Sequence, residues 1–181
     1  MKKINRSRFA ILGMLLEKPR SGYEIRKFMH FSTDHFWQES DASIYPMLNI
    51  LEKEGKLTSK SEAVGKRERK IFEITQSGKD EFFAWMASPS KKEIHRNDLL
   101  LKLFLGANVP KEEILKLLVS HKQKALAEKK EYIKIENDAL SQFSDEYPHK
   151  LFWIMTLRYG MQNVSAKLEW IEDCIKLLKN K

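Results

Sequence analysis

Apolar residues in the first half of the chain recur at helical spacing, broken at short intervals by residues that stop helices. Phe9, Leu12, Leu15 and Leu16 share one face of a helix expected from about Arg6 to Glu17. Lys18-Pro19-Arg20 ends it, since a proline ring cannot continue a helix. Ser21 then opens a second helix with Glu24 three residues on, the spacing of a capping box, and Ile25, Phe28 and Met29 form its buried stripe. Asp41 or Ser43 can cap a third helix in which Ile44, Leu48 and Leu51 fall at i, i+4 and i+7. Pro46 is tolerable there only near the start. Gly55 supplies the C-terminal cap. Lys56 to Glu62 and Arg69 to Thr75 then read as two strands around a Gly-containing turn, and Thr75 caps a helix carrying Phe82, Phe83, Trp85 and Met86.

Ser88-Pro89-Ser90 interrupts this series, and everything beyond it carries the helical period. The boundaries predicted are a first domain over 1–87, a linker over 88–93 and a helical domain over 94–181. Asn97 or Asp98 can cap a segment from Leu99 to Leu105. Pro110 starts a charged helix to about Leu140, with Val119, Leu126, Ile133 and Leu140 seven residues apart but Lys122 and Lys129 interrupting the stripe. Pro148 begins the last helix. Ile154, Leu157, Met161, Val164, Leu168, Ile171, Ile175 and Leu178 alternate there at spacings of three and four, a sustained heptad stripe. Such a stripe packs either against the preceding helix in an internal hairpin or along a second copy of the chain. Its length favours the second copy, so these eight residues are the expected dimer seam.

Composition narrows the function classes. No apolar run approaches the roughly 20 residues a membrane span needs. The basic start, Met1-Lys2-Lys3, is not followed by the apolar stretch of a secretory leader. One cysteine, Cys174, cannot form an internal disulfide and suits a reducing compartment, so a cytoplasmic location is expected. The net charge of +8 favours an anionic partner. It does not say where the partner binds: residues 1–86 hold 16 basic and 12 acidic side chains, and residues 87–181 hold 17 and 13.

Helix–helix–helix–hairpin is the order of a winged helix-turn-helix, so the fold class predicted is mainly α with a small β-hairpin, followed by an all-α dimerisation domain. Such a fold lays its third helix in the major groove of double-stranded DNA. With Ile44, Leu48 and Leu51 turned inward, Ser43, Tyr45, Pro46 and Asn49 face outward, where Ser and Asn can bond base edges and Tyr can bond phosphate. The hairpin carries Lys60, Lys66, Arg67, Arg69 and Lys70 against Glu62 and Glu68. Lys66 and Arg67, beside Gly65 at the tip, are the candidate backbone or minor-groove contacts. Phosphate loops, nucleophile elbows and His-Glu-x-x-His are absent from the sequence, so no catalytic residue, metal site or cofactor is expected. His30 and His35 are five apart, which does not place them on one helix face. Phe36, Trp37, Phe104 and Trp153 are either core aromatics or the lining of a cavity for an apolar effector.

Several stretches resemble the PadR family of regulators. They are Ala10-Ile11-Leu12-Gly13-Met14-Leu15, Pro19-Arg20-Ser21-Gly22-Tyr23-Glu24-Ile25, Phe36-Trp37, and above all the run from Ser43 to Gly55. Arg69 to Thr75 with Gly78 completes the first half, and Asp98 to Phe104 and Trp170-Ile171-Glu172 are similar to the family's longer subgroup. The resemblance implies a homodimer held through C-terminal helices and binding a two-fold operator, usually as a repressor. It adds Tyr23 to Ser43, Tyr45, Lys66 and Arg67 as DNA contacts, and it implies an effector that is phenolic, drug-like or of another kind. The alternative is an effector-binding or protein-interaction module that keeps the scaffold without specific DNA binding; the basic hairpin argues against it.

Overall fold

The computed structural model describes residues 6–33, 36–37, 41–64, 67–90 and 96–180, and at positions 31, 32, 41, 64, 67 and 139 the backbone alone. The chain divides into two compact units, Met1–Lys92 and Glu93–Lys181. Among the described residues no helix is long and apolar enough to cross a membrane.

The first unit contains α1 (Ser7–Met14), β1 (Arg20–Ser21), α2 (Gly22–Ser32), α3 (Asp41–Lys53), β2 (Leu57–Val64), β3 (Arg67–Ile74) and α4 (Gln76–Met86). The strands form an antiparallel sheet in the order β1-β3-β2. The inward faces of α1, α2 and α3 supply Ile11, Leu12, Ile25, Met29, Ile44, Leu48 and Leu51, all at most 1% exposed, and Leu57, Phe72 and Ile74 close the core from the sheet. This is the helix and hairpin order expected for a winged helix-turn-helix.

Local chemistry sets the element ends. The Ser21 hydroxyl accepts from Glu24 N while the Glu24 carboxylate accepts from Ser21 N, so the capping box forms in full. Gly55 turns the chain out of α3 at φ +68, a conformation that costs a glycine nothing. The Thr75 hydroxyl accepts from Gly78 N at 3.1 Å and donates to Gly55 O at 2.8 Å, which binds the start of α4 to the end of α3. Arg8 reinforces this junction, pairing with Glu54 and Glu81 at 2.6 Å each.

Three expectations for this unit need correction. First, α1 ends at Met14 rather than near Glu17, because its last turn tightens: Leu15 N bonds Leu12 O and Leu16 N bonds Gly13 O. Second, α3 begins at Asp41, so Ser43 lies inside the helix and Pro46 is its sixth residue. The missing N–H of Pro46 leaves the Ala42 carbonyl without its helical donor, at an exposed residue where water can replace it. Third, each hairpin strand is eight residues long and the connection is confined to 65–66, where a longer turn was expected. β1, too short to show an alternating pattern, has no counterpart in the reading of the sequence.

The second unit contains α5 (Asp98–Phe104), a 3₁₀ turn at Gly106–Asn108, α6 (Lys111–Lys134) and α7 (Lys150–Lys179), with a π turn at Ile135–Ala139 and a 3₁₀ turn at Leu140–Gln142 closing α6. Asn97 caps α5 through Leu100 N. α6 and α7 run antiparallel: Lys122 pairs with Glu172 at 2.8 Å, and the Tyr132 ring lies over Gly160, where an added Cβ would sit 2.6 Å from it.

The heptad stripe of α7, expected to face a second copy, packs inside this hairpin, with Ile154, Met161, Ile175 and Leu178 only partly buried. Ile154, Leu157, Met161, Val164 and Leu168 pack with Ala125, Tyr132 and Leu140. Ile171, Ile175 and Leu178 pack with Leu99, Ile114 and Leu118. α6 can cover the stripe because its inward face is one residue out of step with the expected one. Leu118, Ala125 and Tyr132 point inward, whereas Val119, Leu126 and Ile133 are exposed. Lys122 then falls to the flank. Cys174 belongs to the same packing, and burial pushes its thiol pKa up, away from reactive thiolate.

Candidate nucleic-acid interface

The capping box and the inward stripe of α3 together decide which side chains leave the first unit. With Ile44, Leu48 and Leu51 in the core, Tyr45, Pro46 and Asn49 are exposed and Ser43 is half-buried. Tyr23, in the first turn of α2, is 57% exposed and lies under the Arg26 guanidinium at 5.4 Å. Tyr45 is 45% exposed and lies across the backbone of Gly22, where an added Cβ would sit 2.7 Å from its Cε1. The start of α2 and the outer face of α3 therefore meet at Gly22, where the Tyr45 ring lies against a residue with no side chain. Of the candidate contacts, Tyr23, Tyr45 and Asn49 are exposed and Ser43 is half-buried. Lys66 lies outside the described residues. Arg67 opens β3 opposite Val64, with its backbone alone described.

The hairpin is less free in charge than its sequence suggests. Arg69 Nη2 lies 2.6 Å from Glu24 Oε2 on α2, and Lys70 Nζ lies 2.7 Å from Glu52 Oε2 on α3. The Ser59 hydroxyl of β2 donates to the other oxygen of Glu52. Both carboxylates are held below the usual range: Glu24 first by the Ser21 N–H, then by the Ser21 hydroxyl and Arg69 against the effect of burial, and Glu52 by Lys70 and then Ser59. The spacing of Ser21 and Glu24 predicts a capping role and nothing more. Its second partner is 45 residues away, and no local spacing signals it. Glu52 carried no signal beyond being a charged residue near the end of a helix.

Of the four aromatics considered for an effector cavity, two lie in each unit. Phe36 is exposed and Trp37 packs against the core of the first unit. In the second unit Phe104 is 85% exposed on α5, which packs at the Ile171 end of α7. Trp153 lies eighteen residues before Ile171 on that helix, about 27 Å away, in a ring cluster with Phe143, Tyr147 and His149. Phe104 and Trp153 therefore line no common cavity. Among the described residues no cluster of His, Cys, Asp and Glu is arranged to hold a metal ion.

Known proteins match this architecture along the whole chain. Residues 11–84 match the transcriptional regulator PadR-like family and residues 95–179 match the virulence activator alpha C-terminal family. The negative transcriptional regulator PadR of Bacillus subtilis is 27% identical over 179 residues, covering 94% of this chain and 96% of its own. The crystal structure of that protein in complex with operator DNA superposes with a TM-score of 0.86 at 23% identity, over 96% of this chain and 99% of the other. Its structure in complex with p-coumaric acid gives a TM-score of 0.82 at 22% identity, over 97% and 99%.

Proposed function

Because this chain belongs to the PadR-like transcriptional regulator family, with a C-terminal domain of the virulence activator alpha type, we propose that it binds a specific DNA operator as a homodimer and represses transcription. The observation that carries this reading is the surface where α2 meets α3. Tyr23 of α2 and Tyr45 and Asn49 of α3 are exposed there, in the same unit as a hairpin whose sequence carries Lys60, Lys66, Arg67, Arg69 and Lys70. Tyr23, Tyr45 and Ser43 serve as phosphate and base-edge partners, Asn49 reads a base edge, and Lys66 and Arg67 meet the backbone or minor groove at the wing tip. The relative solved in complex with operator DNA supports DNA as the partner.

The dimer uses faces that the α6–α7 hairpin leaves uncovered, a reading supported by the packing of the heptad stripe within the chain. Val119, Leu126 and Ile133 form a seven-residue series on α6, and Leu151, Met155 and Tyr159 form a four-residue series on α7, all exposed. Large apolar residues in such contiguous rows are characteristic of a surface with a partner. A small aromatic acid releases the operator, by analogy with the relative that binds p-coumaric acid.

The test is selection of duplexes from a random pool by the full-length protein, then anisotropy of the recovered duplex and a scrambled one over a salt series. The expected result is preferred binding to the recovered duplex at two chains per site, with half-sites about one helical turn or a multiple apart. A pool that remains random after selection would sink the operator-binding reading. Charging the apolar flank by Met155→Lys with Tyr159→Lys is expected to give a folded monomer with weakened operator binding.

A further inference from the structure

The wing is held from two sides where it leaves the sheet. Its base is secured by β1, which pairs with β3 at Ile71 and Phe72. Among the described residues β3 has only β2 paired to it beyond Ile71 toward the tip, and there the two helix-borne carboxylates take hold. Glu24 of α2, which follows directly from β1 at one edge of β3, takes Arg69, using the same oxygen that accepts from Ser21 N and Ser21 Oγ at 2.8 Å. Glu52 of α3 takes Lys70 and at the same time accepts from Ser59 on β2, at the other edge of β3. The Lys70 ammonium is further fixed at 5.3 Å over the Phe72 ring, which is part of the core.

These pairs divide Lys66 and Arg67 from Arg69 and Lys70 by task. Arg69 and Lys70 are already neutralised within the protein, and the part of the hairpin beyond the grip runs from Ala63 to Glu68. We propose that Glu24 and Glu52 are the positioning residues of the wing, a two-sided carboxylate clamp that aims the hairpin relative to the recognition helix and withholds Arg69 and Lys70 from the DNA. The proposal rests on the DNA-binding reading above. The paired side chains are 30–45% exposed, and pairs so exposed add little to global stability. The clamp therefore acts on the direction of the wing rather than on the survival of the fold, and selectivity is the property it controls.

The experiment uses the full-length protein with the duplex recovered by selection and a scrambled duplex. In Glu24→Gln/Glu52→Gln the melting temperature is expected to stay within a few degrees of wild type. Preference for the recovered duplex is expected to fall about tenfold. On the scrambled duplex the log–log salt slope steepens by about one to two, as two freed cations become available at about 0.9 per phosphate contact. Arg69→Gln/Lys70→Gln is expected to lose the same selectivity with no change in either salt slope. A slope shallower by about one to two in that second variant, with selectivity intact in the first, would make Arg69 and Lys70 phosphate ligands and overturn the proposal. Hydrogen exchange in the absence of DNA decides the clamp separately. The first variant is expected to exchange faster between residues 61 and 70 with the α1–α3 core unchanged, and unaltered exchange there refutes the clamp. A wild-type protein that enriches no duplex would instead count against the operator-binding reading, with the exchange measurement still deciding whether the clamp exists.

Discussion

Replacing Ile171 by Ala tests where the heptad stripe of α7 is spent. Ile171 is 0% exposed and sits among Leu99, Ile114 and Leu118 of its own chain. The substitution removes three carbons, about 2.4 kcal/mol of transfer free energy at ~0.8 kcal/mol per carbon. The cavity left behind raises the total toward about 3–4 kcal/mol, because helices pinned at several other layers relax only partly. For a unit of this size each kcal/mol lowers the melting temperature by about 4–8 °C, so a drop on the order of 15–20 °C is expected for the second unit. Melts at two widely separated protein concentrations, with sedimentation velocity on each, separate the two roles the stripe could play. An internal core residue shifts the melt equally at both concentrations and leaves the monomer–dimer equilibrium of the folded protein unchanged. A seam residue lowers stability mainly through dissociation, so its effect grows on dilution. A folded Ile171→Ala monomer, melting close to wild type at concentrations where wild type is a dimer, would refute the intrachain assignment.

Three further outcomes follow from the first unit. Gly22→Ala places a Cβ 2.7 Å from Cε1 of Tyr45; the ring can swing outward, so stability changes little while operator affinity falls about tenfold, or ~1.4 kcal/mol. Affinity equal to wild type would remove the Tyr45 ring from the reading surface. Gly78→Ala brings a Cβ to 2.3 Å from the backbone oxygen of Lys56, which cannot step aside as a side chain would. A loss of about 3 kcal/mol is expected in urea unfolding, and a loss below ~1 kcal/mol would show that the turn into α4 yields freely. The third outcome concerns acid. Glu24 and Glu52 have folded pKa values below their ordinary range, so their contribution is fully present above the unfolded value of about 4.3 and is lost as pH falls through the lower folded values. Melting temperature followed from about pH 6 down to pH 3 should fall less steeply in Glu24→Gln/Glu52→Gln than in wild type; parallel curves would mean these two carboxylates do not couple to folding.

Much of this protein was legible before any coordinates because the information is local. A cap is decided within four residues, so Ser21 with Glu24, Thr75, and Asn97 or Asp98 stand out by spacing or residue type, and Ser21, Thr75 and Asn97 are the residues that cap. An inward stripe is decided by a period of 3.6, so Ile44, Leu48 and Leu51 were assigned to the core and are fully buried. From these the winged helix-turn-helix order and the exposed positions of Tyr45 and Asn49 follow. What periodicity cannot supply is the identity of the surface that covers a stripe. The spacing of α7 is the same whether its partner is a second chain or α6, and α6 meets it through a one-residue offset that points Leu118, Ala125 and Tyr132 inward in place of Val119, Leu126 and Ile133. Ion pairs between distant segments are equally silent in sequence. Arg69 and Lys70 looked like two more cations of a basic hairpin until the path of the chain set them against Glu24 and Glu52. Caps and periods depend on neighbours a few bonds away, whereas the partner of an exposed charge and the cover of an apolar face depend on how whole elements come together in space.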